Sequence, residues 1–384
     1  MPGPETTAIR AFDAASPLGQ ALRQPMLIGL FLPIHNGGWT MSTLPRGTDW
    51  TFAYNARLTQ RSEALGFDLV FGPAHWLPKG GFGGETNYRE TSMDAFIAVS
   101  ALAAVTQRIL LISTIHILYG PWHPLHLAKF GATIDHISRG RWGLNVVAGF
   151  RGSEREMFGM APIDHDKRYA LAGEFTELML RLWSSNENVS HAGEFWRLKD
   201  AFITPKPIHG RPIMVNATGS PSGIAYAARY SDLVFITSSA GAQIEAALDV
   251  LPAHNATIKR AAGELGRSVR TIINPMILCR ETEREARDLY DAIQRRADDG
   301  ALDGFMHSHA VGDSRSWRGH QRAERAVGGN IQLIGTPEQI VDQLLRLKAA
   351  GCDGIQICFF DYEPELEFFG SRVLPLMQQA GLRL

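Results

Sequence analysis

Short apolar runs rich in β-branched residues recur along the chain, and a stretch with helical spacing of its apolar positions follows most of them. Eight runs stand out, at 27–32, 69–71, 109–114, 142–147, 213–216, 233–236, 271–278 and 354–359. They are continuous rather than alternating, as strands covered on both faces are. Helical spacing falls at 50–64, 92–105, 124–137, 167–183, 221–230, 242–265, 283–298 and 337–349, with a closing helix at 365–379. Eight strands, each with its helix, predict an α/β fold of the (β/α)8 TIM-barrel type. The pattern divides the chain into an N-terminal extension, 1–25, and a single barrel domain, 26–384, with insertions at about 188–206 and 300–330. The first insertion, centred on Glu194-Phe195-Trp196-Arg197-Leu198, predicts a hairpin before the fifth strand. The second has little periodicity and a length typical of lids and linkers. Both belong over the C-terminal face of the barrel.

Composition changes this picture little and narrows the partners. The 384 residues are 45% hydrophobic and 20% charged, with 38 basic against 39 acidic side chains and no run of five like charges. That leaves no electrostatic footprint for nucleic acid or an anionic membrane. No window has the roughly 18 unbroken apolar residues of a spanning helix. The first 25 residues carry acids and lack the basic start and apolar stretch of a secretory signal, so a cytoplasmic protein is expected. Cys279, Cys352 and Cys358 form no CxxC pair and predict buried thiols.

In such a barrel the chemistry sits just beyond the strands' C-terminal ends. Those positions hold His35 and Trp39 after the first run, Ala74, His75 and Trp76 with Gly80 to Gly84 after the second, and His116, Trp122 and His123 after the third. A lining this rich in rings suits a flat aromatic ligand. Asn145 sits inside an apolar strand, where an amide costs stability unless it has a partner, and a bound ligand is one such partner. After the fifth run, Asn216-Ala217-Thr218-Gly219-Ser220-Pro221 opens a helix whose free N–H groups and hydroxyls suit a phosphate, although a plain N-cap is an equal reading. Glu154 and the run His165-Asp166-Lys167-Arg168-Tyr169 follow the fourth strand, where a guanidinium and a phenol can reach a phosphate or a ring edge. His116 is equally a core histidine bonded to backbone, and for His307 and His309 in the second insertion a solvated loop is the plainer reading. Arg315 and Arg318 in that insertion can close over an anionic or polar substrate. No GxGxxG or GxxxxGK[ST] fingerprint occurs, and the histidines lack metal-ligand spacing, so no metal is expected.

Several of these segments, taken in order, resemble the bacterial luciferase-like flavin-dependent monooxygenases. The carriers are Ile28 to Ile34 with Asn36-Gly37-Gly38-Trp39, Ala132 to Ser138 with Gly140-Arg141, Asn145-Val146-Val147, His165 to Tyr169, Ile334-Gly335-Thr336-Pro337, and Phe369-Gly370 with Val373 to Leu376. Within the family the chain is similar to the two-component enzymes acting on pyrimidines, dimethylsulfone and alkanesulfonates. The resemblance implies reduced FMN supplied by a separate NAD(P)H:FMN reductase, reaction with O2, oxidative cleavage of a C–N or C–S bond in a small substrate, and a homodimer or homotetramer. It implies FMN contacts at Ala74, His75, Asn145, Glu154, Arg168, Tyr169, Thr218, Gly219 and Ser220, with Asn145 also positioning the flavin near the oxygen site. It places His116, Trp122, His309 and Trp317 near the substrate. Gly81-Phe82-Gly83-Gly84 and Gly219 to Gly223 look like the pyrimidine enzymes, whereas Gly120-Pro121-Trp122-His123-Pro124 and Thr48-Asp49-Trp50 look like the sulfone enzymes. A larger heterocycle such as a flavin remains an alternative substrate. A deazaflavin-dependent dehydrogenase and a non-catalytic flavin-binding protein remain alternative functions.

Overall fold

The computed structural model describes residue 9 and residues 11–117, 122–149, 151–311 and 319–384. Three apolar runs form β1 (Leu27–Phe31), β2 (Leu69–Gly72) and β3 (Leu110–His116), buried at every residue. Next come β4 (Trp142–Val147), a hairpin of β5 (Val189–Ala192) and β6 (Arg197–Ala201), then β7 (Ile213–Ala217) and β8 (Leu233–Ile236). The chain continues through β9 (Arg270–Ile273), β10 (Pro275–Cys279), β11 (Ile331–Gly335) and β12 (Gly354–Ile357). Eight of these close a barrel in the order β1-β12-β9-β8-β7-β4-β3-β2. Register is fixed all round by parallel pairs such as Leu27 with Gly354, Gly29 with Leu69 and Val215 with Leu233. The fold is a (β/α)8 TIM barrel.

Two apolar layers hold the ring of strands. Outward-pointing Ile28, Leu30, Val70, Leu111 and Leu144 pack under the helices, while inward-pointing Leu27, Leu69, Leu110, Ile213 and Leu233 fill the barrel. Leu18, on the short α1 (Pro17–Ala21), joins this inner cluster at the strands' N-terminal ends, so α1 covers the bottom of the barrel. The outer helices are α2 (Phe52–Ala64), α3 (Ala95–Ala101), α4 (Pro124–Ser138), α5 (Gly152–Met157), α6 (His165–Ser184), α7 (Pro221–Tyr230) and α8 (Ile244–Gly263). They continue with α9 (Glu283–Arg295), α10 (Asp299–Val311), α11 (Arg322–Val327), α12 (Pro337–Ala349), α13 (Tyr362–Phe368) and α14 (Leu374–Gln379). Caps set several starts: Asp94 accepts from Ile97 N, and Thr282 and Thr336 form capping boxes with Glu285 and Gln339. Among the described residues no helix is long and apolar enough to cross a membrane, and Cys279, Cys352 and Cys358 are buried and unpaired.

The structure departs from the sequence pattern in three places. The run 271–278 is two strands, broken at Asn274: β9 stays in the barrel, and β10 pairs instead with β11 from Pro275–Ile331 to Cys279–Gly335. Pro275 has no N–H for the barrel ladder, and Asn274 turns its side-chain N–H to Gln356 O at 2.6 Å while its backbone carbonyl accepts from Asn330 N at 2.8 Å. The described residues of 300–330 are largely helical. Ala301, Leu302 and Phe305 on α10 pack on Met41, Phe82, Tyr88 and Ala326 in a satellite core above the barrel. Asp298 starts α10 by accepting from Ala301 N and also ties down Thr86, through its N at 2.9 Å and Oγ1 at 2.7 Å. The closing helix begins at Tyr362 and carries a π turn, Phe369–Val373, where Pro375 cannot donate to the preceding turn.

One buried ion pair fastens the two ends of the barrel domain together. Asp68 accepts from Ile28 N at 2.7 Å and from Arg383 at 2.5 and 3.1 Å, and Arg383 also donates to Met26 O and Gly66 O. Removing one partner leaves a buried charge uncompensated. Arg383→Met should therefore lower the unfolding free energy by about 3–5 kcal/mol in urea titration, and adding Asp68→Asn should recover part of that loss.

Candidate active site

The C-terminal ends of the strands open into a cavity of about 280 Å³. Its floor is aromatic, because the last inward-facing residues of three strands are phenylalanines. Phe31 meets Phe71 at 4.8 Å and Phe71 meets Phe235 at 4.7 Å, both edge to face. Above them the strand ends turn polar, with Thr114, His116, Asn145 and Asn216 all lining the cavity.

Asn145 Nδ2 donates to Thr114 Oγ1 at 3.2 Å and Asn216 Nδ2 donates to Val146 O at 2.7 Å. Both carbonyl oxygens, and that of Asn274, are buried with no partner among the described residues. Acceptors in that state cost free energy unless a ligand supplies N–H groups. One side of the cavity thus asks for a donor-bearing ring.

The α7 side asks for an anion. Ser220 caps the helix by accepting from Gly223 N at 3.2 Å, and Pro221 occupies its first turn. Thr218 is buried and its Oγ1 has no partner among the described residues. A side chain at Gly223 would overlap Thr218 Oγ1 and crowd the Tyr169 hydroxyl, so glycine lets these two groups converge on the helix N-terminus. Nothing lies near Gly219, leaving its surroundings open to a bound group. Arg168, in the first turn of α6, lines the same region and donates to Gly149 O at 2.5 Å. Hydroxyls, a guanidinium and a helix N-terminus form a phosphate cradle. A phosphate tail beside a flat, N–H-bearing ring describes reduced FMN, and these residues fit it.

The opposite wall is a network of buried charge. Glu154 Oε1 accepts from Arg151 Nη1 at 2.7 Å, and its Oε2 lies 3.2 Å from His116 Nδ1. His75 Nε2 accepts from Arg89 Nη1 at 2.9 Å, since a guanidinium can only donate. Burial, then the charge of Arg89, holds His75 well below the usual imidazole range, and the same causes act on His35, 5.3 Å away. Arg89 lies over the Trp39 ring at 4.6 Å. Arg325 also lines the cavity, its pKa pulled down by burial to about 9, which leaves it a cation at neutral pH.

Of the residues singled out from sequence, Ala74, His75, His116, Asn145, Arg168, Tyr169, Thr218, Gly219 and Ser220 line this one cavity. Glu154 stands behind the lining, fully buried, and reaches the site through His116 and Arg151. Trp122 points elsewhere, onto Phe96 at 5.1 Å in the core between α3 and α4. His309 is on α10 rather than in a solvated loop. Its Nδ1 donates to Phe305 O at 2.8 Å and its ring lies 4.0 Å from that of Phe305, which lines the cavity. Trp317, Arg315 and Arg318 lie outside the described residues, as do Gly120 and Pro121. Sequence reasoning missed Arg89, Arg325 and Asn274. Asn274 carried the signal that flagged Asn145, an amide inside an apolar run, whereas the two arginines carried none.

Fold and cavity together define a TIM barrel with an aromatic-floored, polar-rimmed cavity at its C-terminal face, as enzymes of this fold have. The chain belongs to the luciferase-like monooxygenase family, whose model matches residues 26–354. It is 31% identical to the FMNH(2)-dependent dimethylsulfone monooxygenase of Pseudomonas fluorescens, over 93% of this chain and 96% of that protein. It is 32% identical to the pyrimidine monooxygenase RutA of Bradyrhizobium sp., over 94% of this chain and 99% of that one. DmoA from Hyphomicrobium sulfonivorans has the same fold, with a TM-score of 0.79 at 20% identity over 93% of this chain and 89% of that one.

Burial, reinforced by Arg151 and Arg325, holds the pKa of His309 down at about 3. Between pH 6.5 and 3 the unfolded chain takes up a proton that native His309 refuses, so stability falls as pH falls through that window. His309→Gln should reduce proton uptake on unfolding by up to roughly one between pH 6 and pH 4. Denaturation curves of both proteins across that range measure the difference.

Proposed function

We propose that the chain is a monooxygenase that receives reduced FMN from a separate NAD(P)H:FMN reductase and uses O2 to cleave a C–N or C–S bond of a small organic substrate. The observation that carries the reading is one cavity pairing the Ser220, Thr218 and Tyr169 cradle with the carbonyl oxygens of Asn145 and Asn216, which have no partner among the described residues. Arg168, Tyr169, Thr218, Gly219 and Ser220 hold the phosphate, and Ala74 and His75 lie against the ring. Asn145 and Asn216 accept from ring N–H groups, fixing the ring's position and favouring the reduced form, which carries more of them. Bound reduced FMN supplies the electrons that activate O2. The protein's part is positioning and electrostatic preorganisation over a dry aromatic floor. Glu154 positions His116 and Arg151 at the substrate side. The same reading assigns residues 26–384 to a single domain acting in the cytoplasm as a homodimer or homotetramer.

The deciding experiment is an anaerobic titration with reduced FMN, followed by mixing with oxygenated buffer while absorbance is recorded. Tight preference for the reduced flavin and reoxidation unlike that of free flavin support the monooxygenase. Flavin that fails to bind, or reoxidises as it does alone, removes it and brings the deazaflavin dehydrogenase forward. Ser220→Ala should weaken reduced FMN about tenfold, with at most about 1 kcal/mol lost from folding as a cap. Folding lost outright would make Ser220 structural only. Asn145→Ala should lower the product formed per reduced flavin more than it lowers flavin affinity. An unchanged yield would deny Asn145 a part in the reaction.

A further inference from the structure

We infer that Asn274 is a further flavin-positioning residue, and that with Asn216 it makes the site a gauge of the flavin's oxidation state. The inference deepens the reading above and rests on it, because the ring it concerns is that of FMN.

Asn274 is 3% exposed, lines the cavity and stands at the break between β9 and β10. The two halves of its amide do different things. Nδ2 donates to Gln356 O at 2.6 Å and to Cys358 Sγ at 3.0 Å, which ties the break to β12 and the residue after it. Oδ1 is buried with no partner among the described residues. A backbone carbonyl can only accept, so turning the amide over would set oxygen against oxygen, and Oδ1 stays an acceptor. Asn216 is fixed in the same way, because its Nδ2 donates to Val146 O. Asn145 is not, since the Thr114 hydroxyl can accept or donate and lets that amide present either end. The cavity therefore holds two acceptors that cannot adapt, from strand ends that flank β8 and its Phe235 in the floor. Covering either without a donor carries the full cost of desolvating it. The oxidised isoalloxazine ring has a single N–H. Two-electron reduction adds a proton at N5, and at N1 in the neutral form. One N–H cannot serve two fixed oxygens on different strands, so at least one of them is satisfied only by the reduced ring. A preference for reduced flavin is thus built into two side chains whose orientation the barrel itself locks.

The test measures anaerobic affinities for reduced and oxidised FMN, and the reduction potential of the bound flavin, in the unmodified protein, Asn274→Leu, Asn216→Leu and the double variant. Asn274→Leu should weaken reduced FMN about tenfold. The double variant should lose at least about tenfold more affinity for reduced than for oxidised FMN, because leucine also removes an oxygen that the oxidised ring cannot satisfy. A tenfold change in that ratio lowers the potential of the bound flavin by about 30 mV. Asn274→Ser is a second variant should Asn274→Leu not fold, with the same expected loss. Reduced FMN bound as tightly by the Asn274 variant as by the unmodified protein overturns the inference. So does a double variant that loses both oxidation states equally, because the two oxygens then serve the ribityl chain or groups common to both forms. An unmodified protein that binds neither form sinks the flavin reading, and this inference with it.

Discussion

Glu154 is a fully buried carboxylate that three strand ends share. One of its oxygens accepts from Arg151 Nη1 at 2.7 Å and lies 3.4 Å from Trp76 N, and the other faces His116 Nδ1 at 3.2 Å. These partners come from the segments after β4 and β2 and from the last residue of β3, so a single charge sets how three strand ends meet. In a medium of low dielectric such a carboxylate cannot be removed without taking a charge partner from Arg151, and with it loosening the packing of His75 between Arg151 and Arg89. The site's substrate wall depends on this interaction more than on any one lining residue. Resemblance placed Glu154 at the flavin. The geometry gives it an indirect hold on the cavity through a guanidinium and an imidazole.

At the other end of the cavity, structure and function share a residue without conflict. A serine hydroxyl has two lone pairs and one proton. Capping α7 uses Ser220 Oγ as an acceptor for Gly223 N, which leaves its O–H able to donate to a phosphate. The N-cap and phosphate readings of the sequence were therefore never exclusive. Thr218 carries the sharper functional signal, because its buried Oγ1 does no structural work among the described residues.

How far the sequence could be read follows from which interactions are local. Strands buried on both faces announce themselves as unbroken apolar runs, and seven of the eight runs mark one barrel strand each. Asn145 was legible because an amide in such a run is anomalous wherever the run ends up. Arg89 and Arg325 were not, since surface loops are rich in arginine and only tertiary packing buries these two against Trp39, His75 and the cavity. The helix α10 was hidden for a similar reason. Its apolar face, Ala301, Leu302 and Phe305, packs on Met41, Phe82 and Tyr88 from loops more than two hundred residues away in sequence.

The irregularity that escaped the sequence pattern also builds the charged end of the site. Because the strand breaks at Asn274, β10 stays bonded on one side to Cys358, just after β12, and takes β11 on its other side, with Gln332 bridging to Gln243 after β8. The chain entering β11 must then cross the mouth of the barrel close to the loop after β1. Met41 N donates to Ala326 O at 3.0 Å and Thr40 Oγ1 to Val327 O at 3.0 Å, and a side chain at Gly328, whose φ is 94°, would overlap Trp39 O. That backbone approach, open only to glycine, carries Arg325 to the same cavity as Arg89 on its Trp39 platform. A regular eight-stranded barrel would have had no reason to bring α11 over its mouth. The local failure of strand periodicity and the convergence of the arginines are thus one structural event.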